Sequence, residues 1–146
     1  MNQTANGIQY REFGAELALE AYEIYKANKW ESYFGDMSRL TAAFERSLYL
    51  LGAFEGRRLV GFVRCVGDGE FILYVQDLII APSHQRRGIG RELMRRASEK
   101  YAGVRLFTLL TDRDNTAANE FYRSIGLTTD FNGWPLVHYL RSAKTV

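Results

Sequence analysis

Apolar and polar positions alternate from Ile8 to Phe13, the period of two that predicts a half-buried strand. From Ala15 to Lys26 the spacing changes, and Leu17, Ala21, Ile24 and Tyr25 fall on one face of a helix; a short second helix is expected at about Ser38 to Ser47. Tyr49 to Phe54 and Leu59 to Val66 then read as strands joined by the turn Glu55-Gly56-Arg57-Arg58. Gly67-Asp68-Gly69 turns the chain again into Phe71 to Ile80, so these three strands form an antiparallel meander. Ile89, Leu93, Ala97 and Tyr101 recur every four residues, the stripe of a helix over Arg91 to Tyr101 that packs on the sheet and leaves Arg91, Glu92, Arg95, Arg96, Glu99 and Lys100 largely in water. An apolar strand at Val104 to Leu110, a helix after Asn115, and strands near Thr128 to Phe131 and Val137 to Leu140 complete the order. The fold class is α+β with a central mixed sheet flanked by helices.

The pattern holds no repeat, low-complexity tract or linker, and 146 residues fit one domain with one core, residues 1–146. A net charge of +2 argues against nucleic acid as the main partner, although the five arginines between Arg86 and Arg96 form a local basic face. The single cysteine, Cys65, rules out an internal disulfide and, with only His84 and His138 beside it, offers no metal-ligand cluster; Cys65 is expected to be a small core residue. No run is apolar enough to span a bilayer, and Met1 to Gly7 lack a charged-then-apolar signal pattern, so the expectation is a cytoplasmic protein without a membrane partner.

Chemistry concentrates where the meander ends. Ile80 to Met94 runs from an apolar strand through a basic, glycine-bearing turn into an amphipathic helix. The first amide N–H groups of a helix lack intrahelical partners and lie at the positive end of its dipole, so an anion placed there is bound by backbone. Gly88 and Gly90 lack the β-carbons that would obstruct a phosphate, and Gln85, Arg86, Arg87 and Arg91 add donors and positive charge. The pattern Gln-x-x-Gly-x-Gly at Gln85 to Gly90 resembles the acyl-CoA pyrophosphate loop of the GNAT (GCN5-related) superfamily of N-acetyltransferases. Downstream, Asn115-Thr116-Ala117-Ala118-Asn119-Glu120-Phe121-Tyr122-Arg123-Ser124-Ile125-Gly126-Leu127 is similar to that family's Asn-x-x-Ala-x-x-Phe-Tyr-x-x-x-Gly-Phe segment, with Leu127 in place of the usual Phe. The two motifs stand in family order and cover roughly the C-terminal half of the chain.

The resemblance implies the GNAT sheet, whose fourth and fifth strands splay so that acetyl-CoA enters between them, and direct attack of an amine on the thioester. It implies cofactor contacts from Gln85, Arg86, Arg87, Gly88, Ile89, Gly90 and Arg91, and from backbone groups around Leu78 and Ile80. It makes Tyr122 the general acid that protonates the leaving thiolate, within reach of the cofactor, and adds a pantetheine hydrogen bond to Asn115, which its residue type also suits to capping a helix. Asp77 interrupts an apolar strand, and a buried carboxylate needs a partner or a job; it either acts in base catalysis or ties the sheet to its surroundings. Family members take the acceptor over the loop between the first two helices. Here that loop holds Trp30, Glu31, Phe34 and Asp36, an aromatic and acidic set that would suit a cationic amine or else would pin the loop to the core. Trp134-Pro135 could line the same cavity or stop a strand. A homodimer is an expectation from the family alone. A non-catalytic acyl-CoA-binding module and a polyanion-binding module remain the alternatives.

Overall fold

The computed structural model describes residues 7–143; the segment Met1 to Asn6, which belongs to the stretch without a signal pattern, lies outside them. The chain divides into two compact units, Met1–Leu110 and Thr111–Val146.

In the first unit, β1 (Ile8–Glu12), β2 (Tyr49–Glu55), β3 (Arg58–Gly67), β4 (Ile72–Ile80) and β5 (Leu106–Leu109) form one sheet in the order β1-β2-β3-β4-β5. The first four are mutually antiparallel and β5 runs parallel to β4, which makes the sheet mixed. At the β3–β4 turn Gly67 has φ 131, and a β-carbon there would collide with the Ile72 carbonyl oxygen, so the close return of the hairpin requires glycine. Asp68 completes the turn by accepting the amides of Glu70, Phe71 and Ile72 on one carboxylate oxygen.

One sheet face is covered by α1 (Ala18–Ala27), entered through a 3-10 turn at Ala15–Leu17, and α2 (Met37–Glu45). Ala21, Ile24 and Tyr25 point from α1, and Leu40 and Phe44 from α2, onto Leu50, Phe54, Leu59, Phe62 and Ile79 of the sheet. Phe13, Phe44 and Tyr25 each meet the Phe62 ring at a steep angle with centroids 5.4–5.8 Å apart, the preferred edge-to-face geometry. The helix α3 (Ile89–Lys100) packs on β2, β3 and β4 with Ile89, Leu93, Met94 and Ala97 buried. It begins two residues before the expected Arg91 because Gly88, at φ 78, marks the break in the chain. Cys65 is fully buried in β3, and burial pushes its thiol up to about 12.

Strand β4 is irregular in two places. Its register with β3 steps from Arg64↔Asp77 to Cys65↔Val75, which leaves Gln76 as the extra residue of a bulge. Its pairing with β5 covers only Ile72 to Val75 against Leu106 to Leu109, so residues 76–80 have no β5 partner. Where the fourth and fifth strands are expected to splay, immediately after Val75, β4 has an open edge because β5 ends at Leu109.

The second unit contains α4 (Thr116–Ser124) and a small hairpin of β6 (Asp130–Phe131) and β7 (Trp134–Pro135). The strand expected near Val137 to Leu140 does not form, and residues 136–143 have no regular structure. Asn132 and Gly133 take φ 52 and 85, the left-handed pair that an Asn-Gly turn favours, so the hairpin closes early. Pro135 has no N–H to extend it, and the ladder stops there.

Candidate functional site

Antiparallel pairing alternates between residues that face their partner and residues that face away. The Ala81 N–H bonds to Val60 O at 2.8 Å, in register with the pairs Ile79↔Phe62 and Asp77↔Arg64. The main-chain groups of Leu78 and Ile80 therefore point away from β3, to the edge that β5 leaves open. Ile80 O is already taken there: Asn28 Nδ2 and Gln85 Nε2 donate to it at 3.0 and 3.1 Å, and Gln85 Nε2 also reaches Asn28 Oδ1 at 3.0 Å. Gln85 thus fastens the turn to the end of β4 and to the residue that closes α1.

From that anchor the chain passes through Arg86, whose φ of 64 is left-handed without glycine, to Gly88 at φ 78, the N-cap of α3. No side chain caps this end. A β-carbon on Gly88 would meet nothing within 4 Å, so the turn borders open space that a substituent would fill. Arg86, Arg87 and Arg91 are exposed around it, Gly90 is half-buried and Ile89 is buried against the sheet, tying the start of the helix in place. Further along α3 the arginines form ion pairs within the helix. Arg95 pairs with Glu92 and Glu99, and Arg96 with Glu92, at 2.6–2.8 Å. A groove of about 640 Å³ lies by this later part of α3, floored by Tyr10, Tyr49 and Leu51. It belongs to the α3 half that carries Arg95 to Lys100 rather than to the turn.

Asp77 is 2 % exposed and fully engaged. Arg64 Nε and the Tyr25 hydroxyl both donate to its Oδ2 at 2.7 Å, and the Tyr33 hydroxyl donates to Oδ1 at 2.5 Å. Burial raises the Tyr25 phenol, with the charge of Asp77 adding to it, and Tyr33 shifts the same way for the same reasons. Burial opposes the charge on Arg64, but the adjacent carboxylate outweighs it and holds the guanidinium protonated. Of the two roles open to Asp77, the geometry favours the tie: a carboxylate with three donors on it and no access to water is poorly placed to collect a substrate proton.

The loop between α1 and α2 contains a 3-10 turn at Glu31–Tyr33. Trp30 lies 6.0 Å from the Tyr25 ring and Phe34 6.0 Å from Tyr22, yet the two remain 37 % and 39 % exposed, so each is both packed and presented. Glu31 is exposed. Asp36 caps α2, accepting from the amides of Ser38 and Arg39 at 3.0 and 3.2 Å and from the Ser38 hydroxyl at 2.7 Å. The Ser38 hydroxyl first, and then these amides, hold its carboxyl below the usual range.

In the second unit Asn115 caps α4 as its residue type suggested, its Oδ1 accepting from Ala118 N at 3.1 Å. Tyr122, two turns on, is half-buried with its ring edge-on to Phe121 at 5.2 Å, and burial raises its phenol. Trp134 is 72 % exposed and sits in the short strand that Pro135 ends.

Tyr25, Tyr33, Arg64, Gln76 and Asn28 were not among the expected site residues, although Tyr25 was expected on the buried face of the first helix. A signal existed for Arg64: it interrupts the apolar run Val60 to Val66 as Asp77 interrupts the next strand, and the tight turn between the strands puts the two charges in register. The two tyrosines had no such mark among nine.

The model of the acetyltransferase (GNAT) family matches residues 14–127. A Mycobacterium tuberculosis protein named N-alpha-acetyltransferase RimI is 34 % identical over 102 residues, covering 64 % of each chain. The chain spans about half the length of the first curated relatives it matches. Among solved structures, a GNAT-family acetyltransferase from Streptococcus pneumoniae superposes with a TM-score of 0.77 at 28 % identity over 94 % of this chain and 99 % of that one. A PaiA N-acetyltransferase from Thermoplasma acidophilum in complex with coenzyme A gives 0.67 at 20 % identity, over 82 % of this chain and 88 % of that one, a likeness of fold.

Proposed function

The chain belongs to the acetyltransferase (GNAT) family, and from that premise we propose that it is an N-acetyltransferase moving an acetyl group from acetyl-CoA to a small amine or exposed amino group. The observation that carries the reading is the continuity of two features: an opening between β4 and β5 that exposes main-chain groups at Leu78, and at its far end a glycine turn with an uncapped helix N-terminus. The pantetheine arm, an extended chain with two amides, suits the first. The pyrophosphate suits the second, held by the amides that follow Gly88 and by Arg86, Arg87 and Arg91.

The amine, once neutral, attacks the thioester carbonyl carbon; a C–N bond forms, the C–S bond breaks, and Tyr122 gives its phenolic proton to the departing thiolate. A free thiol of this kind has a pKa of roughly 8.5, so its thiolate is a modest base and gains from a proton at departure. The raised phenol of Tyr122 keeps that proton available throughout the neutral range. The amine's proton leaves to solvent, so turnover rises with pH toward the amine's effective pKa. Trp30 and Phe34 offer exposed ring faces and Glu31 a charge, a surface that favours a cationic or aromatic amine over an acidic one. The cytoplasm, where acetyl-CoA and free amines meet, is the compartment we assign.

Incubation with acetyl-CoA and a broad amine panel, reading thiol release, tests the activity, and calorimetry with CoA tests the site. A Gly88→Asn variant tolerates the left-handed backbone while filling the open space, and should lose at least about ten-fold in CoA affinity. Tight CoA binding without thiol release for any amine would point to a regulatory acyl-CoA module; unchanged CoA affinity in the folded variant would remove the turn from the site.

A further inference from the structure

The proposed transfer leaves one buried network without a role in substrate recognition. Tyr33 stacks on Tyr25 with centroids 4.1 Å apart and planes 15° from parallel, and its hydroxyl reaches through to Asp77 Oδ1. Asp77 pairs with Arg64 and takes donors on both carboxylate oxygens, and the single Tyr33 proton points to Oδ1. Burial and the nearby carboxylate both raise the Tyr33 phenol, so that proton stays in place. The Tyr33 oxygen must then accept, and it does so from Gln76 Nε2 at 3.2 Å. Polarity runs one way, from the Gln76 amide to the Tyr33 hydroxyl to the Asp77 carboxylate. The Gln76 carboxamide is therefore oriented with its NH₂ toward Tyr33, which leaves its Oε1 for whatever approaches from outside. Gln76 is exposed, it is the extra residue of the β4 bulge, and it directly follows Val75, the last β4 residue paired with β5. It stands at the closed end of the opening.

The loop that carries Tyr33 is bracketed by two left-handed residues, Lys29 at φ 60 and Gly35 at φ 107. Its backbone bonds run to α1 or within the loop itself: Trp30 N to Tyr25 O, Glu31 N to Lys29 O, Tyr33 N to Trp30 O and Phe34 N to Glu31 O. The Tyr33 hydroxyl instead reaches the sheet.

We propose that Tyr33 is a positioning residue for the acceptor: it latches the loop from Trp30 to Gly35 onto β4 and fixes the Gln76 carboxamide so that Oε1 accepts a hydrogen bond from the amine to be acetylated. The role of Gln76 rests on the acetyl-transfer reading. Releasing the latch would let the loop swing about Lys29 and Gly35 and let the Gln76 amide turn over, while the glycine turn and the pyrophosphate site stay as they are.

Tyr33→Phe removes the hydroxyl and keeps the ring stack; it takes a donor from Asp77 Oδ1, so the variant should fold with a melting temperature lower by a few degrees. Hydrogen exchange of the intact protein should show the amides of Glu31 to Gly35 exchanging at least about ten-fold faster in Tyr33→Phe, with β3 and β4 unchanged. With 2-phenylethylamine, putrescine and a tetrapeptide bearing a free amino terminus as probes, the KM for the amine should rise five-fold or more, with kcat and CoA affinity held within two-fold. Gln76→Leu should raise the amine KM without accelerating exchange in the loop, and the double variant should be no worse than the poorer single one, because the two residues act in series. Unchanged loop exchange in Tyr33→Phe overturns the latch. Additive KM effects, or an equal loss of CoA affinity, overturn the positioning role. Absence of thiol release from wild-type protein with every probe would strike the transfer reading and the role of Gln76 with it, while the exchange result would still decide the latch.

Discussion

Asp77 and Tyr122 show how differently two residues can be read from sequence. Asp77 stood out because a carboxylate in an apolar strand needs an explanation, but which explanation depended on Tyr25 and Tyr33, which lie 52 and 44 positions away in the chain. A side chain's partners across such distances follow from packing, and no local pattern encodes them. Tyr122 was placed by its motif, and its half-buried, raised phenol is consistent with a proton donor. Tyr122→Phe should keep CoA affinity within about two-fold and lower kcat by roughly 10²–10⁴, the usual loss of a general acid, when stopped-flow kinetics follow a substrate limited by chemistry. Wild-type kcat under those conditions would exclude the phenol from proton transfer.

At the scale of elements, the strands of the meander and the four helices were legible because each carries a clean period and ends at a marked turn: Gly67-Asp68-Gly69, Gly88 before α3, and Asn115 before α4. Residues 136–143 depart from the expected strand for a physical reason. Val137 to Leu140 is apolar enough for a strand, but apolarity does not provide a neighbour to pair with, and the Asn132-Gly133 turn with Pro135 commits the preceding residues to a hairpin two residues long on each side. The bulge at Gln76 was equally invisible, since an extra residue in a strand changes register without changing composition. Within α3, hydrogen bonds from Arg95 and then Arg96 hold the Glu92 carboxyl down to about 2. Because the folded value is depressed, the stabilisation is present above the ordinary carboxyl range near 4.5 and is lost as pH falls toward 2. Glu92→Gln should therefore melt below wild type at neutral pH, by an amount worth about 1 kcal/mol or less, and the gap should close between pH 4.5 and 2 in calorimetric scans. A gap that persists at pH 2 would assign the effect to packing instead.

For the molecule as a whole, a ligand that binds only the folded chain must stabilise it. CoA at a hundred times its dissociation constant should add about 2.7 kcal/mol. That corresponds to roughly 5–10 °C in melting temperature for a chain of this size, and the shift should shrink in Gly88→Asn at the same CoA concentration. A rise of equal size in both proteins would mean that CoA binds away from the turn. The opening beside β4 has one more consequence. Residues 76–80 form a strand whose neighbour is missing, over a length on the order of 15 Å at about 3.3 Å per residue. What completes such a sheet is judged by backbone rules: it must be narrow, extended and supplied with amides at strand-like intervals. On the proposed reading the donor's pantetheine arm fills that place as a guest strand, β-augmentation by a molecule that is not a peptide, met by backbone at Leu78 rather than by any side chain.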